Sequence, residues 1–215
     1  MQALTGPLRE LAEFEEIEKK KREGAGMLRI TGCVPSQKTH MMYALSDGCP
    51  YKVIACSSES KAKQVYEEYR FVDGDTWLYP AKDLLFYQAD LRNKALVKQR
   101  MEVLQAVLTR KSLTVVTSFD AFMDVLLPRE VLADQAVYIS AESVVDMGEL
   151  ERELSRIGYD RESQIEGPGQ FAVRGGILDI YPLTEELPVR IELWGDEVDS
   201  IRSFDVETQR SIENL

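Results

Sequence analysis

The stretch Tyr51-Lys52-Val53-Ile54-Ala55-Cys56-Ser57-Ser58-Glu59-Ser60-Lys61 joins two kinds of local order. Tyr51 to Cys56 is a short apolar run and reads as a strand. The charged segment from Glu59 to Tyr69 that follows reads as a helix. The same alternation continues on both sides. Upstream, Met27 to Thr31 reads as a short strand, followed by a loop from Gly32 and a helix from Thr39 to Leu45. Downstream, Thr76 to Tyr79 reads as a strand, and Leu91 to Thr109 carries a helical period through Leu96, Met101, Leu104 and Val107. Leu113 to Thr117 is then a buried strand and Phe119 to Leu126 a short helix. Strands alternating with helices imply a parallel sheet with helices on its faces. At the N-terminus, Leu4, Leu8, Leu11, Phe14 and Ile17 recur at helical spacing and predict one amphipathic helix. It runs into Lys19-Lys20-Lys21-Arg22, cations suited to a helix C-terminus, and stops at Gly24 and Gly26.

Near Tyr138 the pattern changes. One helix, Met147 to Ile157, precedes four short strands: Phe171 to Arg174, Ile177 to Tyr181, Val189 to Trp194 and Ser200 to Phe204. Gly, Pro and acidic turns separate them, which predicts a small antiparallel α+β domain. Alternation along Val189 to Trp194 puts Val189, Ile191 and Leu193 on one face and Arg190, Glu192 and Trp194 on the other. The aliphatic face is expected to pack on the domain's helix. The other face has two readings. Either Arg190 and Trp194 form an interaction patch, since Arg and Trp are enriched at hot spots, or Trp194 is core and Arg190 pairs with Glu192 or another surface acid. Arg174 precedes Gly175-Gly176, a candidate bulge that aims its side chain at the same patch.

Composition narrows the function classes. The 215 residues make one large domain or two modest ones. The net charge is -11, and the pI is about 4.8. Duplex binding needs clustered cations, so DNA is not the expected direct ligand. The three cysteines, Cys33, Cys49 and Cys56, form no C-x-x-C pair, which argues against zinc or a disulfide framework and for reduced, cytosolic thiols. The single histidine, His40, leaves little room for a Ser-His-Asp triad. No run of about 18 apolar residues suggests a membrane span, and Met1 to Leu11 lacks the layout of a signal peptide. The expected location is the cytoplasm.

The loop Gly32-Cys33-Val34-Pro35-Ser36-Gln37-Lys38-Thr39 has Gly32, Lys38 and Thr39 at the spacing of a G-x-x-x-x-G-K-[ST] phosphate loop. Gln37 replaces the second glycine, and Pro35 removes a backbone donor. One reading is a small ATPase built on Lys38 and Thr39. The other is a vestigial loop, and the damaged cradle favours it. Gly195-Asp196-Glu197 imitates a metal-holding acid after a strand but reads better as a hairpin turn. The expectation is a non-catalytic chain with no metal or cofactor of its own.

Three stretches resemble a known family. Tyr79-Pro80-Ala81-Lys82-Asp83 is similar to a Y-P-x-x-D segment. Gly169-Gln170-Phe171-Ala172-Val173-Arg174-Gly175-Gly176-Ile177-Leu178-Asp179-Ile180-Tyr181-Pro182 is similar to G-E-[FY]-A-x-R-G-[GA]-[IL]-[LV]-D-[IL]-[FY]-P. Pro188 to Arg202 continues the likeness through Phe204-Asp205 to Gln209-Arg210-Ser211. Together they resemble the N-terminal, UvrB-homologous region of bacterial transcription-repair coupling factors. The resemblance implies a degenerate phosphate-loop, helicase-like α/β domain over residues 1–137, completed by about 206–215. It implies an inserted or appended α+β domain over 138–205. UvrB itself carries an intact phosphate loop and a long hairpin after the Y-P-x-x-D segment. Here Phe86 to Leu91 leads directly into the long helix, so the chain resembles the coupling factors more. The implied partner is UvrA, met by Arg174, Arg190 and Trp194. RNA polymerase, double-stranded DNA, ATP and magnesium would belong to regions beyond Leu215, and a C-terminal domain of the family would cover the UvrA face until activation. A UvrB-like DNA-contacting role is disfavoured by the acidity and the missing hairpin.

Overall fold

The computed structural model describes residues 2–24, 26–82, 90–134 and 136–215. They divide into two compact units, Met1–Val125 and Leu126–Leu215. The division falls at Val125/Leu126.

In the first unit, β1 (Tyr51–Cys56), β3 (Leu113–Ser118) and β2 (Thr76–Tyr79) form a parallel sheet in the order β1-β3-β2. Helix α4 (Glu59–Tyr69) starts where the Ser58 hydroxyl accepts the Lys61 N–H at 3.2 Å. It buries Ala62 and Val65 against Cys56, Leu78 and Val116. Helix α5 (Asp90–Thr109) sends Val103 and Leu104 to a cluster with Trp77, Tyr79 and Val115. Neighbouring residues of β3, Val115 and Val116, therefore serve opposite faces, as strand alternation requires. Helix α6 (Phe119–Phe122) is shorter than the expected Phe119 to Leu126.

Two expectations for this unit are corrected. The N-terminal amphipathic segment is two helices, α1 (Gln2–Arg9) and α2 (Ala12–Arg22), because Leu11 is extended at φ -85, ψ 125. The break lets both Leu8 and Phe14 bury beside Ala44 of α3 (Pro35–Leu45). At its far end, Lys21 Nζ donates to the Leu45 carbonyl at 2.7 Å, so one cation of the basic run caps a neighbouring helix. Met27 to Thr31 is not a strand: it pairs with no described strand, and Met27 is 90% exposed. Strand propensity needs a ladder to satisfy its backbone, and none is offered there. The reading of Phe86 to Leu91, and the place of Asp83, fall mainly on residues 83–89, outside the described residues.

In the second unit, α7 (Arg129–Asp134) and α8 (Met147–Arg156) accompany a six-stranded sheet. Its strands are β4 (Asp160–Arg161), β5 (Gln170–Arg174), β6 (Ile177–Ile180), β7 (Val189–Trp194), β8 (Glu197–Phe204) and β9 (Ser211–Asn214). They lie side by side in chain order, antiparallel except β4 with β5. Asp146 caps α8 by accepting the Glu149 N–H at 2.8 Å. The helix then buries Leu150 and Leu154 on Phe171, Leu178, Ile191 and Val198. Residues 206–215 supply β9 to this sheet, through pairing with β8, rather than completing the first unit.

Candidate functional site

The sheet of the second unit has two unlike faces. Ile191, with Val189 and Leu193 beside it, packs toward α8 as the alternation predicts. Arg190, Glu192 and Trp194 lie on the other face. Register brings Asp179 of β6 opposite Arg190 of β7, and Arg190 opposite Arg202 of β8. Asp179 is the centre of this face, and its side chain is 2% exposed. Arg190 grips it with both arms, Nε to Oδ1 at 2.6 Å and Nη2 to Oδ2 at 2.9 Å. A bidentate, charge-assisted pair of this kind is both strong and directional. Arg190 also stacks 4.5 Å from the centre of the buried Phe204 ring and reaches the Gln209 carbonyl and side-chain oxygens at 3.4 and 3.3 Å. The hydrogen bonds that Arg190 donates to Asp179 hold its pKa above the ordinary value, against the opposing effect of burial. Arg190 is thus nearly saturated, with 15% of its side chain exposed.

Arg174 reaches the same carboxylate from β5, through Nη2 to Asp179 Oδ2, and keeps 47% of its side chain exposed. Gly175 and Gly176 are a two-residue hairpin turn closed by Arg174 opposite Ile177, not the expected bulge. The bulges fall between Glu192 and Leu193 and between Ser203 and Phe204. Gly175 has φ +63, open to glycine without strain. Gly176 permits a close approach: a Cβ there would sit 2.8 Å from the Leu193 carbonyl oxygen. The Leu193 N–H donates to the Gly176 carbonyl at 2.8 Å, tying the hairpin to β7 beside Trp194.

Trp194 is 84% exposed, which removes the core reading. It borders a shallow depression lined by Gly176, Ile177, Glu192 and Asp199. Glu192 receives Arg202 at 3.3 Å rather than Arg190. Arg174, Arg190 and Trp194 therefore share one face, as the alternation of β7 predicts for the latter two. Sequence reasoning missed Asp179, Arg202 and Gln209. The signal for Asp179 was present as a lone acid inside the apolar strand Ile177-Leu178-Asp179-Ile180.

The loop of the first unit is arranged differently. Gly32 has φ +87, and α3 starts at Pro35, earlier than the expected Thr39. The Gln37 side chain accepts the Val34 N–H at 3.1 Å, occupying a loop donor. Thr39 is buried, and its hydroxyl donates to Glu68 at 2.8 Å. Hydrogen bonds from Thr39 and then Gln64 hold the Glu68 carboxyl below its usual range. Lys38 is exposed. The structure thus keeps Gly32, Lys38 and Thr39 on one loop and helix start but turns Thr39 toward α4. Asp196 lies in the turn between β7 and β8, where Trp194 pairs with Glu197. Among the described residues, no group of three His, Cys, Asp or Glu side chains is placed to hold a metal, and no helix is long and apolar enough to cross a membrane.

Comparison with known proteins adds to this geometry. Residues 137–215 match the family described as the UvrB interaction domain. Over 211 residues, 97% of the chain, the sequence is 32% identical to a transcription-repair-coupling factor of Bacillus subtilis (strain 168), of which it covers 18%. It is 33% identical over 213 residues to that of Staphylococcus haemolyticus (strain JCSC1435), covering 95% of the chain and 18% of the relative. With that of Staphylococcus epidermidis (strain ATCC 12228 / FDA PCI 1200) it shares 36% identity over 205 residues, 94% of the chain and 17% of the relative. The chain therefore spans less than a fifth of the length of the curated relatives it matches.

Proposed function

The chain belongs with the N-terminal, UvrB-homologous region of the transcription-repair-coupling factors, and from this premise we propose that its second unit is a docking module for UvrA in transcription-coupled nucleotide excision repair. The observation that carries the reading is an exposed tryptophan, Trp194, on the same sheet face as two arginines gathered at one buried carboxylate. Large exposed aromatics beside arginine are the residue types from which binding hot spots are built. An indole 84% exposed on a small sheet gains little from burial within its own fold, whereas burial against a partner removes that area from water.

The first unit serves this role as a non-catalytic scaffold of degenerate phosphate-loop descent, carrying no ATP or magnesium. Three features support that reading: Gln37 at the second glycine, the Val34 N–H already bonded, and the Thr39 hydroxyl committed to Glu68. RNA polymerase contacts, and ATP- and magnesium-dependent movement on double-stranded DNA, are assigned to other regions of a full-length coupling factor working in the cytoplasm.

The test is a calorimetric titration of the chain with UvrA. Wild type is expected to bind. Trp194→Ala and Arg174→Glu are expected to weaken binding by at least about 2 kcal/mol, the scale of a hot-spot truncation. Unchanged affinity in both variants would move the site off this face. A parallel titration with Mg·ATP is expected to show no binding, and saturable binding lost in Lys38→Ala would restore the nucleotide reading.

A further inference from the structure

The two arginines that meet at Asp179 do not have the same work. Arg190 has a bidentate bond to Asp179, a ring beneath it and two Gln209 oxygens around it. Arg174 is held, among the described residues, by a single hydrogen bond from one terminal nitrogen, and almost half of its side chain faces solvent. A guanidinium presents five donors. Most of those on Arg174 are therefore left directed outward from a fixed anchor. Charge reinforces the contrast. Two guanidinium groups share one carboxylate at Asp179, while Glu192 and Arg202 neutralise each other nearby. The centre of the face is thus locally cationic on a chain of net charge -11, although Glu197 and Asp199 lie near the hairpin end beside Trp194.

Resting on the docking reading above, we propose that Asp179 is the positioning residue of this face: it fixes Arg190 as an internal strut and presents Arg174 to a carboxylate on the partner, while Trp194 enters an apolar recess. The physical basis is preorganisation. A flexible arginine loses rotamer freedom on binding, at roughly 0.5–1.5 kcal/mol for an immobilised side chain. An arginine already tethered to a buried acid has lost part of that freedom in the free protein. Deleting Asp179 would release both guanidinium groups and return that loss to the binding step.

The experiment uses the whole chain and UvrA as probe, with Asp179→Asn, Arg174→Gln and the double variant, each first checked for cooperative unfolding. Affinity is measured at low and at high salt. Each single substitution is expected to weaken binding about tenfold, within the range of coupled neighbours. The double variant is expected to bind no more weakly than Arg174→Gln alone, because Asp179 acts through Arg174. Arg174→Gln is also expected to flatten the salt dependence, as loss of an ion pair with an acidic partner requires. Additive losses, or wild-type affinity in Asp179→Asn, would overturn the positioning role while leaving the docking site in place. Absence of wild-type binding would remove both. Should Asp179→Asn not fold, comparison of Arg174→Gln with Arg190→Gln decides. The first is expected to lose affinity at an unchanged melting temperature, and the second to lower that temperature by about 4 °C or more. The reverse pattern would overturn the assignment.

Discussion

Two arginines that look alike in the sequence have unlike surroundings. Arg190→Glu sets a second carboxylate against Asp179, which is 2% exposed, and abandons the bidentate pair. Breaking a buried pair in this way costs about 3–5 kcal/mol, so urea denaturation of Arg190→Glu is expected to show a large loss of stability. Charge reversal at Arg174 leaves the new side chain free to turn to solvent, so its effect is expected on binding rather than on folding. An unchanged urea midpoint in Arg190→Glu would contradict the strut. In the first unit, Thr39→Val removes the 2.8 Å bond to Glu68 and is expected to cost about 1 kcal/mol. A phosphate-loop threonine kept for a ligand would instead tolerate valine without loss of stability in the free protein.

Elements depend on their neighbours as much as on their own residues. Strand β7 was legible because its alternation is strict and one face meets a helix. The Met27 to Thr31 segment has comparable propensity and forms no strand, because no described edge pairs with it. The break at Leu11 is equally hidden in the helical spacing, which continues across it. The hairpin of β5 and β6 shows how a backbone contact selects a residue. Gly176→Ala would place a methyl group 2.8 Å from the Leu193 carbonyl oxygen. Overpacking of this sort costs about 1–3 kcal/mol, and a denaturant titration is expected to show it, with Gly24→Ala unsuitable as a comparison because of its φ of +79.

Each unit of the molecule has its own core and its own sensitivity. The second unit closes its core between α8 and the sheet without drawing on residues before 137. A fragment of residues 126–215 is expected to unfold cooperatively by circular dichroism, and a non-cooperative melt would show that the core is incomplete. In the first unit, Asp73 joins β1 and β3, accepting Lys52 at 2.9 Å and the Thr114 hydroxyl at 2.8 Å. Burial raises the Asp73 pKa, but these hydrogen bonds outweigh it and leave the carboxyl below its ordinary value. A carboxyl more acidic in the folded state contributes stability above its unfolded pKa of about 3.9 and loses it as pH falls through the folded value. Acid unfolding of this unit is therefore expected to steepen below about pH 4. Asp73→Asn is expected to lower stability at neutral pH and flatten that acid limb, and an unchanged limb would remove Asp73 from the account.

Local patterning was enough to read the strand and helix alternation of the first unit from Tyr51 onward, the antiparallel turn-rich second unit and the shared face of Arg190 and Trp194. Those features depend on spacing and backbone chemistry within a few residues, and motif resemblance added Arg174 to the face. Asp179 as the common anchor was not readable, since it requires β5, β6 and β7 to pair in one register. The same holds for Gln209 beside Arg190, Glu68 beside Thr39, and the exposure of Trp194. Each arises where residues distant in the chain meet, and the choice between a buried tryptophan and a displayed one is made by what packs against it, which periodicity alone does not encode.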